Sequence, residues 1–225
     1  MVEVRYLGHS ALYISDGTTR IVVDPFLTGN PKAALAAHQV EADLIVLTHA
    51  HGDHYGDSVA ISQRTGAPIV SNYEIVSYAE KQGAKGVGMN LGGTYKFKGG
   101  WLKWLPAWHS SSFPDGTYGG LAQGFVLELG GKRMYVAGDT ALFSDMALVA
   151  PYNPDLAILP IGDHFTMGPD DALKALELIR AKQVLPVHYN TFPPIAQDGA
   201  AFVQRAGLLG VGGKALQPGE HITLS

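Results

Sequence analysis

Residues Leu44–His54 read LIVLTHAHGDH, and this stretch decides how the rest of the chain is interpreted. Four consecutive apolar residues are typical of a buried strand, and three histidines and one aspartate follow them within six positions. Imidazole nitrogens and carboxylate oxygens are the ligands that Zn²⁺, Mn²⁺ and Fe²⁺ accept when no thiolate is offered. So short a loop cannot place all four groups on one ion. We therefore expect His49 and His51 to bind one metal ion, and Asp53 and His54 a second.

The composition restricts both the ligands and the class of protein. The chain has 225 residues, of which 46% are apolar and 16% charged, and it has no cysteine. The lack of cysteine excludes disulfides, thiolate metal sites and cysteine nucleophiles, so His and carboxylate must hold any metal ion. The length suits one domain over residues 1–225 with a large core.

Charge and hydropathy restrict the partners. The formal net charge is −4, which argues against nucleic acid and anionic lipid as partners and leaves a small-molecule substrate. No export signal and no membrane-spanning apolar run is visible, so we expect a cytoplasmic protein without a membrane partner. The low charged fraction is compatible with surface hidden in a homo-oligomer.

Short apolar runs between turn residues predict an α/β protein with many strands. The predicted strands are Val2–Leu7, Ala11–Ser15, Arg20–Asp24, Leu44–Leu47, Pro68–Ser71, Thr94–Phe97, Trp101–Pro106, Ala122–Leu129, Arg133–Ala137, Leu156–Leu159, Val184–Val187 and Ile222–Leu224. The predicted helices are Asp57–Arg64, a helix capped by Asn72 that runs to Gln82, and Pro169–Ala181.

A faint internal repeat suggests how these elements pack. Two hairpins, each followed by a buried strand (DLIVL from Asp43 and DLAIL from Asp155), recur in the two halves at offsets that agree within one residue. A true repeat predicts two sheets packed face to face with helices outside. The alternative is the general likeness of any two β hairpins.

The segment HAHGDH after an apolar strand resembles the HxHxDH signature of the metallo-β-lactamase superfamily. Three later ligands of that family, each at a strand end, have candidates in His109, in Asp139 of AGDT and in His188 of PVHYN. The start Gly8-His9-Ser10 resembles a branch of uncharacterised metal-dependent hydrolases close to L-ascorbate-6-phosphate lactonase. The resemblance extends from His9 to His188.

This resemblance implies a four-layer αβ/βα sandwich, in which two mixed β-sheets are flanked by helices, with two metal ions at one edge. Zn²⁺ is expected first, with Mn²⁺ or Fe²⁺ as alternatives. One ion would be bound by His49, His51 and His109. The other would be bound by Asp53, His54 and His188. Asp139 would bridge the two ions.

The implied activity is metal-dependent hydrolysis of a small ester-like bond in a lactone, phosphodiester or phosphorylated sugar derivative. Paired cations lower the pKa of water from about 15.7 towards neutrality, which supplies a shared hydroxide as nucleophile. Asp53 and His164 are the expected catalytic residues. Alternatives are a metal-binding module without activity, or an RNA-processing nuclease of the same superfamily, which would need a basic surface.

Three residues outside the ligand set are expected near the metal ions. His9 is predicted to support a ligand or face the substrate, and the alternative is a hydrogen-bonded core histidine. Asp24 is predicted to orient a ligand histidine, and the alternative is a turn residue before proline. His164 follows the second-half counterpart of the metal loop, so we expect it to bind substrate or to protonate a leaving group.

Two further features leave their interpretation open. The segment 110–116, SSSFPDG, either covers the site or is a solvated connection. Trp101, Trp104 and Trp108 look like a binding stripe, but strand alternation places Trp101 and Trp104 on opposite faces. We therefore interpret the three tryptophans mainly as core residues.

Overall fold

The computed structural model describes residues 1–225 and contains fourteen strands and five α-helices. The strands are Val2–Gly8 (β1), Ala11–Ser15 (β2), Arg20–Val23 (β3), Leu44–Val46 (β4), Ile69–Asn72 (β5), Gly86–Met89 (β6), Thr94–Phe97 (β7), Gly100–Pro106 (β8), Gln123–Leu129 (β9), Lys132–Val136 (β10), Leu156–Pro160 (β11), Gln183–Val187 (β12), Gly212–Gly213 (β13) and His221–Leu224 (β14). The α-helices are Gly52–Tyr55 (α1), Ser58–Thr65 (α2), Tyr73–Glu80 (α3), Pro169–Ile179 (α4) and Gly199–Leu208 (α5). Three 3₁₀ segments cover Ala37–Gln39, Ser144–Tyr152 and Pro193–Ile195.

The strands form two mixed sheets of seven strands each. The first has the order β14-β1-β2-β3-β4-β5-β6, and the second has the order β13-β12-β11-β10-β9-β8-β7. In the first sheet β3 to β6 run parallel, and in the second β10 to β13 do so. The remaining pairs are antiparallel.

Three apolar cores hold the layers together. The central core lies between the sheets and joins residues such as Ile14 and Val46 of the first to Trp104 and Phe125 of the second. A second core packs α4 and α5 on the outer face of the second sheet, and a third packs α2 and α3 on the first. Two sheets between two helix layers confirm the predicted four-layer fold.

The two halves of the chain repeat each other in space. The strand order β2 to β6 in one sheet corresponds to β9 to β13 in the other. In the first half Arg20 and Asp43 exchange backbone and side-chain hydrogen bonds, and Arg133 and Asp155 do the same in the second. Matching contacts at matching positions favour the repeat over chance likeness of hairpins.

Most predicted elements lie within two residues of their observed bounds, and the differences have local causes. Helix α4 ends at Ile179 rather than Ala181, because Arg180 adopts a left-handed conformation with φ of 58°. Asn72 does cap α3, since its side chain accepts a hydrogen bond from the backbone N–H of Ile75.

Four of the strands and α-helices were not predicted: β6, β13, α1 and α5. Strand β6 reads GVGM; Val87 and Met89 pack against the central core, but the segment is short and half of it is glycine, which is depleted in strands. Its Gly86 is required because a Cβ there would lie 2.3 Å from Cγ1 of Val76 on α3. Helix α5 had a readable signal in Asp198, whose side chain caps the helix at Ala201. None of the helices has the length and hydropathy needed to span a membrane.

Candidate metal centre

Loops that follow strand ends of both sheets meet at one edge of the molecule. His9 follows β1, Asp24 follows β3, and the HAHGDH segment follows β4, all in the first sheet. Backbone hydrogen bonds join the two sheets there: the N–H of His188 donates to the carbonyl of His9 at 2.8 Å, and that of Gln123 to the carbonyl of Thr48 at 3.1 Å. The two halves of the chain therefore both contribute to the site.

Three histidines form the first part of the cluster. Ring nitrogens of His49, His51 and His109 lie within 4.8 Å of one another. The Nε2 of His49 is 3.0 Å from the Nδ1 of His51. The carboxylate of Asp139 closes the group, since its Oδ2 lies 3.5 Å from the Nε2 of His109 and 3.8 Å from that of His49.

The second part of the cluster shares the same carboxylate. The Nε2 of His54 lies 3.3 Å from Oδ1 of Asp139, and the Nε2 of His188 lies 3.0 Å from Oδ2. Oδ2 of Asp53 is 4.0 Å from His54 and 3.8 Å from His188. All seven side chains expected as ligands thus come together, with Asp139 between the two parts.

Three buried atoms in the cluster have no hydrogen-bond partner, and one of them, Nδ1 of His188, is on the side of the ring away from Asp139. The two that test whether metal ions fit are Nε2 of His54 and Oδ1 of Asp139, both on fully or almost fully buried residues. Unpaired buried polar groups are costly and need an explanation. A cation that accepts lone pairs from both atoms satisfies them together, and the His and Asp donors suit Zn²⁺, Mn²⁺ or Fe²⁺.

Asp24 is buried and orients two of the histidines. Its Oδ2 lies 2.8 Å from Nδ1 of His54 and accepts from the hydroxyl of Thr48 at 2.6 Å. That hydroxyl is in turn 3.0 Å from Nδ1 of His49. With Nδ1 as the bonded, protonated nitrogen of both rings, loss of any further proton would leave each Nε2 with a lone pair for a metal ion, as metal-bound histidines require.

His9 contacts the cluster through Asp53. Its Nε2 lies 3.0 Å from Oδ2 of Asp53, and its Nδ1 lies 2.8 Å from the hydroxyl of Thr191. Burial lowers the pKa of His9 to about 4, although the hydrogen bond to Asp53 opposes the shift. The ring is therefore neutral, and because a carboxylate only accepts, Nε2 carries the proton and donates to Asp53.

The charged groups of the cluster stabilise one another. Burial opposes ionisation of Asp139, but His188 and His54 outweigh it and hold the pKa of Asp139 well below its usual value. Conversely, burial alone would lower the pKa of His54, whereas Asp139 and Asp24 raise it well above its usual value. Burial also opposes the charge on His188, yet Asp139 and Asp53 raise its pKa to about 9. The metal-free cluster therefore holds protons where cations would bind.

Three residues of the centre adopt a left-handed backbone conformation. The φ angles are 59° for His9, 43° for Asp24 and 55° for His188. Such a conformation costs roughly 1–2 kcal/mol per non-glycine residue, and it persists where the surroundings over-determine it, often at functional sites. Here the sheet-to-sheet hydrogen bond from His188 to His9 supplies part of that constraint.

His164 is placed differently from the seven clustered residues. It is exposed in the loop between β11 and α4, where its ring packs edge-on against Phe165, and no hydrogen bond joins it to the cluster. The catalytic role of His164 stays a prediction. Sequence reasoning missed Thr48 and Thr191, whose hydroxyls support the histidines, because an isolated threonine carries no motif.

The structure shows where segment 110–116 and the three tryptophans lie. Segment 110–116 is anchored rather than free, because Phe113 is buried and stacks on Tyr78 at 3.7 Å between ring centroids. Trp104 is buried as predicted and Trp101 packs against Tyr152. The interpretation of Trp108 as a core residue is wrong: it lies on the loop before His109, beyond the end of β8, and 68% of it is exposed.

Comparisons with known proteins agree on one family. The model of the β-lactamase superfamily domain matches residues 19–189. A UPF0173 metal-dependent hydrolase from Thermus thermophilus is 71% identical over 224 residues, which cover 100% of both chains. The solved structure of Igni18, a novel metallo hydrolase from Ignicoccus hospitalis, has a TM-score of 0.91 at 38% identity and covers 100% of this chain and 98% of Igni18. An isothiocyanate hydrolase from Delia radicum gut bacteria shares the fold, with a TM-score of 0.77 at 17% identity over 99% of each chain.

Proposed function

Because the chain belongs to the metallo-β-lactamase superfamily and is a metal-dependent hydrolase, we propose that it holds two divalent ions and cleaves a small ester-like bond. Zn²⁺ is the first candidate, with Mn²⁺ and Fe²⁺ as the others that His and carboxylate accept. The proposed substrate is a small molecule such as a lactone, a phosphodiester or a phosphorylated sugar derivative.

One observation carries the two-ion proposal: Asp139 is shared by both parts of the cluster. Its Oδ2 faces His109 and His188, and its Oδ1 faces His54 without a hydrogen bond. A single ion uses about four ligands in such sites, whereas seven are gathered here. The proposed division is His49, His51 and His109 for one ion, and Asp53, His54 and His188 for the other, with Asp139 common to both.

The open side of the cluster determines where a substrate enters. His49, His54 and Asp139 are buried, whereas His51, Asp53 and His109 are partly exposed. When bound, a pair of divalent ions lowers the pKa of water and polarises the oxygen of the scissile bond. Oδ2 of Asp53 accepts a hydrogen bond from Nε2 of His9 at 3.0 Å. Besides binding a metal ion, the Asp53 carboxylate would accept a proton at its exposed edge.

Hydrolysis also needs a proton for the leaving group. The water oxygen bonds to the acyl carbon or phosphorus, the bond to the leaving oxygen breaks, and that oxygen takes up a proton. We propose His164 as the donor, since its exposed imidazole lies in the loop after β11, at the strand edge that carries the metal loops.

The test is hydrolysis by the protein reconstituted with Zn²⁺, Mn²⁺ or Fe²⁺ in separate preparations. The panel contains chromogenic phosphodiesters, lactones, thioesters and β-lactams, and metal content is measured by elemental analysis. We expect turnover that requires metal and about two ions per chain. Asp139→Ala should lose at least one ion and nearly all turnover, because it removes the shared carboxylate.

Asp145→Asn is the matched control, since Asp145 is an exposed carboxylate on the same connection as Asp139. It should keep both ions and full turnover. Two metal ions with normal turnover in Asp139→Ala would contradict the bridging role. A stoichiometry of one in the wild type, even with excess metal, would contradict the binuclear proposal.

A further inference from the structure

Three exposed aromatic rings lie on loops at the edge of the sheets that carries the metal cluster, here called the metal edge. Trp108 is 68% exposed, Phe165 56% and Phe192 36%. Trp108 directly precedes His109, Phe165 directly follows His164, and the ring of Phe192 lies 5.6 Å from that of His9. Exposed apolar surface at the rim of a polar site is typical of a binding surface.

Two of these rings stand on loops that are fixed to the residue after Asp139. The hydroxyl of Thr140 accepts from the backbone N–H of Trp108 at 3.0 Å. The carbonyl of Thr140 accepts from the N–H of Met167 at 2.9 Å, which anchors the loop that carries Phe165. Their loops are therefore tied to the metal centre through the connection that holds Asp139.

Few basic residues lie near the same edge. The segments 24–31, 47–58, 107–122, 137–145, 161–168 and 188–198 contain none of the 16 Lys and Arg residues of the chain. Lys32 directly follows the first segment and lines a small cavity with Tyr189 and Asn190. The six segments do contain acidic residues outside the proposed ligands, among them Asp115, Asp145 and Asp163. Within the centre, Asp24, Asp53 and Asp139 offset most of the charge that two divalent ions would bring.

A phosphorylated substrate is poorly matched to such an edge. Phosphate groups away from the reacting bond are ordinarily recognised by Arg or Lys side chains, and of these only Lys32 directly adjoins the six segments. Aromatic rings, by contrast, offer favourable burial to uncharged aryl or alkyl groups. Both observations point to the same class of molecule.

We propose that the substrate is an uncharged ester or lactone whose aryl or alkyl group packs on the rim formed by Trp108, Phe165 and Phe192. The inference rests on the proposed hydrolase function and narrows its substrate class. It disfavours the phosphorylated sugar derivatives expected from the sequence. The rim residues bind the group that is not cleaved, so they determine specificity rather than perform the chemistry.

The first test is binding to the zinc-loaded protein, followed by tryptophan fluorescence. The probes are 4-nitroanisole, which is uncharged, and 4-nitrobenzenesulfonate, which is a permanent anion; both quench indole fluorescence. We expect saturable quenching by 4-nitroanisole, and roughly tenfold weaker binding of the sulfonate. Trp108→Phe should abolish the saturable quenching, because it removes the fluorophore at the rim. Trp101→Phe, which changes a tryptophan packed against Tyr152, should retain it.

The second test is hydrolysis of γ-lactones with alkyl chains of increasing length. In the wild type kcat/KM should rise with chain length, and in the double variant Trp108→Ala with Phe165→Ala the longest lactone should lose roughly tenfold. Leu208→Ala, on an exposed leucine at the end of α5, is the control and should behave as wild type. Zinc content should be the same in all three.

The outcomes separate the two proposals. Quenching that persists in Trp108→Phe, or tighter binding of the sulfonate, would overturn the rim assignment. A kcat/KM that changes neither with chain length nor in the double variant would also overturn the rim assignment, while leaving the hydrolase proposal intact. Saturable binding at Trp108 without hydrolysis of any ester or lactone would instead contradict the proposed function.

Discussion

Asp24→Asn is expected to weaken the metal ion bound by His54 while leaving the fold intact. The side chain keeps its size, and asparagine tolerates the left-handed φ of 43° at this position. The amide oxygen can still accept from the backbone N–H of Thr48, as Oδ1 does now at 2.8 Å. The amide nitrogen then replaces Oδ2 and faces two donors, Nδ1 of His54 and the hydroxyl of Thr48, so these hydrogen bonds are lost.

The magnitude follows from the role of this carboxylate. Loss of a supporting partner behind a metal-bound histidine typically costs 10–100-fold in metal affinity, or about 1.4–2.8 kcal/mol. The affinity for the ion at His54 should fall most, because Asp24 contacts His54 directly at 2.8 Å. The ion at His49 should lose less, since the hydroxyl of Thr48 stands between Asp24 and that ring.

The assay is zinc competition between the metal-free protein and a chromophoric chelator, fitted with two binding constants. Asp43→Asn is the matched control, because Asp43 binds Arg20 at the opposite end of β4, away from the metal edge. It should leave both constants unchanged. Unchanged binding constants in Asp24→Asn, or an equal loss of affinity in Asp43→Asn, would show that Asp24 does not support the metal-bound histidines.

Two further predictions concern protons. Burial alone would lower the pKa of His188, but Asp139 and Asp53 raise it to about 9; zinc binding near neutral pH should therefore release the proton held there, and the release should fall as the pH rises above about 9. Calorimetry in buffers of different ionisation enthalpy measures this release, and binding without proton release would contradict the assignment of His188 as a ligand. His164→Ala should keep both ions and lose roughly 10²–10⁴ in turnover with poor leaving groups, but much less with nitrophenyl esters. Loss of an ion would make His164 a ligand, and unchanged turnover on all substrates would exclude a role in proton transfer.

That the seven proposed ligands lie together could be predicted from the sequence, because the resemblance to the superfamily implies ligands at the ends of later strands and the apolar pattern reveals those strands. His109, Asp139 and His188 lie far apart along the chain, yet each comes within a few residues of the end of β8, β10 or β12. In sheets of this kind such ends converge at one edge, so order and position together indicate a cluster. The division between two ions then follows from the resemblance rather than from spacing.

The supporting contacts could not be predicted, because they depend on three-dimensional approach rather than on pattern. Thr191 is 182 positions from His9, and only the packing of the two sheets brings its hydroxyl to 2.8 Å from that ring. The exposure of Trp108 was missed for a related reason. It follows the end of β8, where strand alternation no longer determines which way a side chain faces.

Anomalous diffraction from crystals of the zinc-loaded protein would show directly how many ions the cluster holds. We expect two zinc peaks, roughly 3.5–4 Å apart. One should be bound by His49, His51 and His109, the other by Asp53, His54 and His188, and both by Asp139. A single fully occupied peak in the presence of excess zinc, or two peaks without a shared contact to Asp139, would contradict the two-ion proposal.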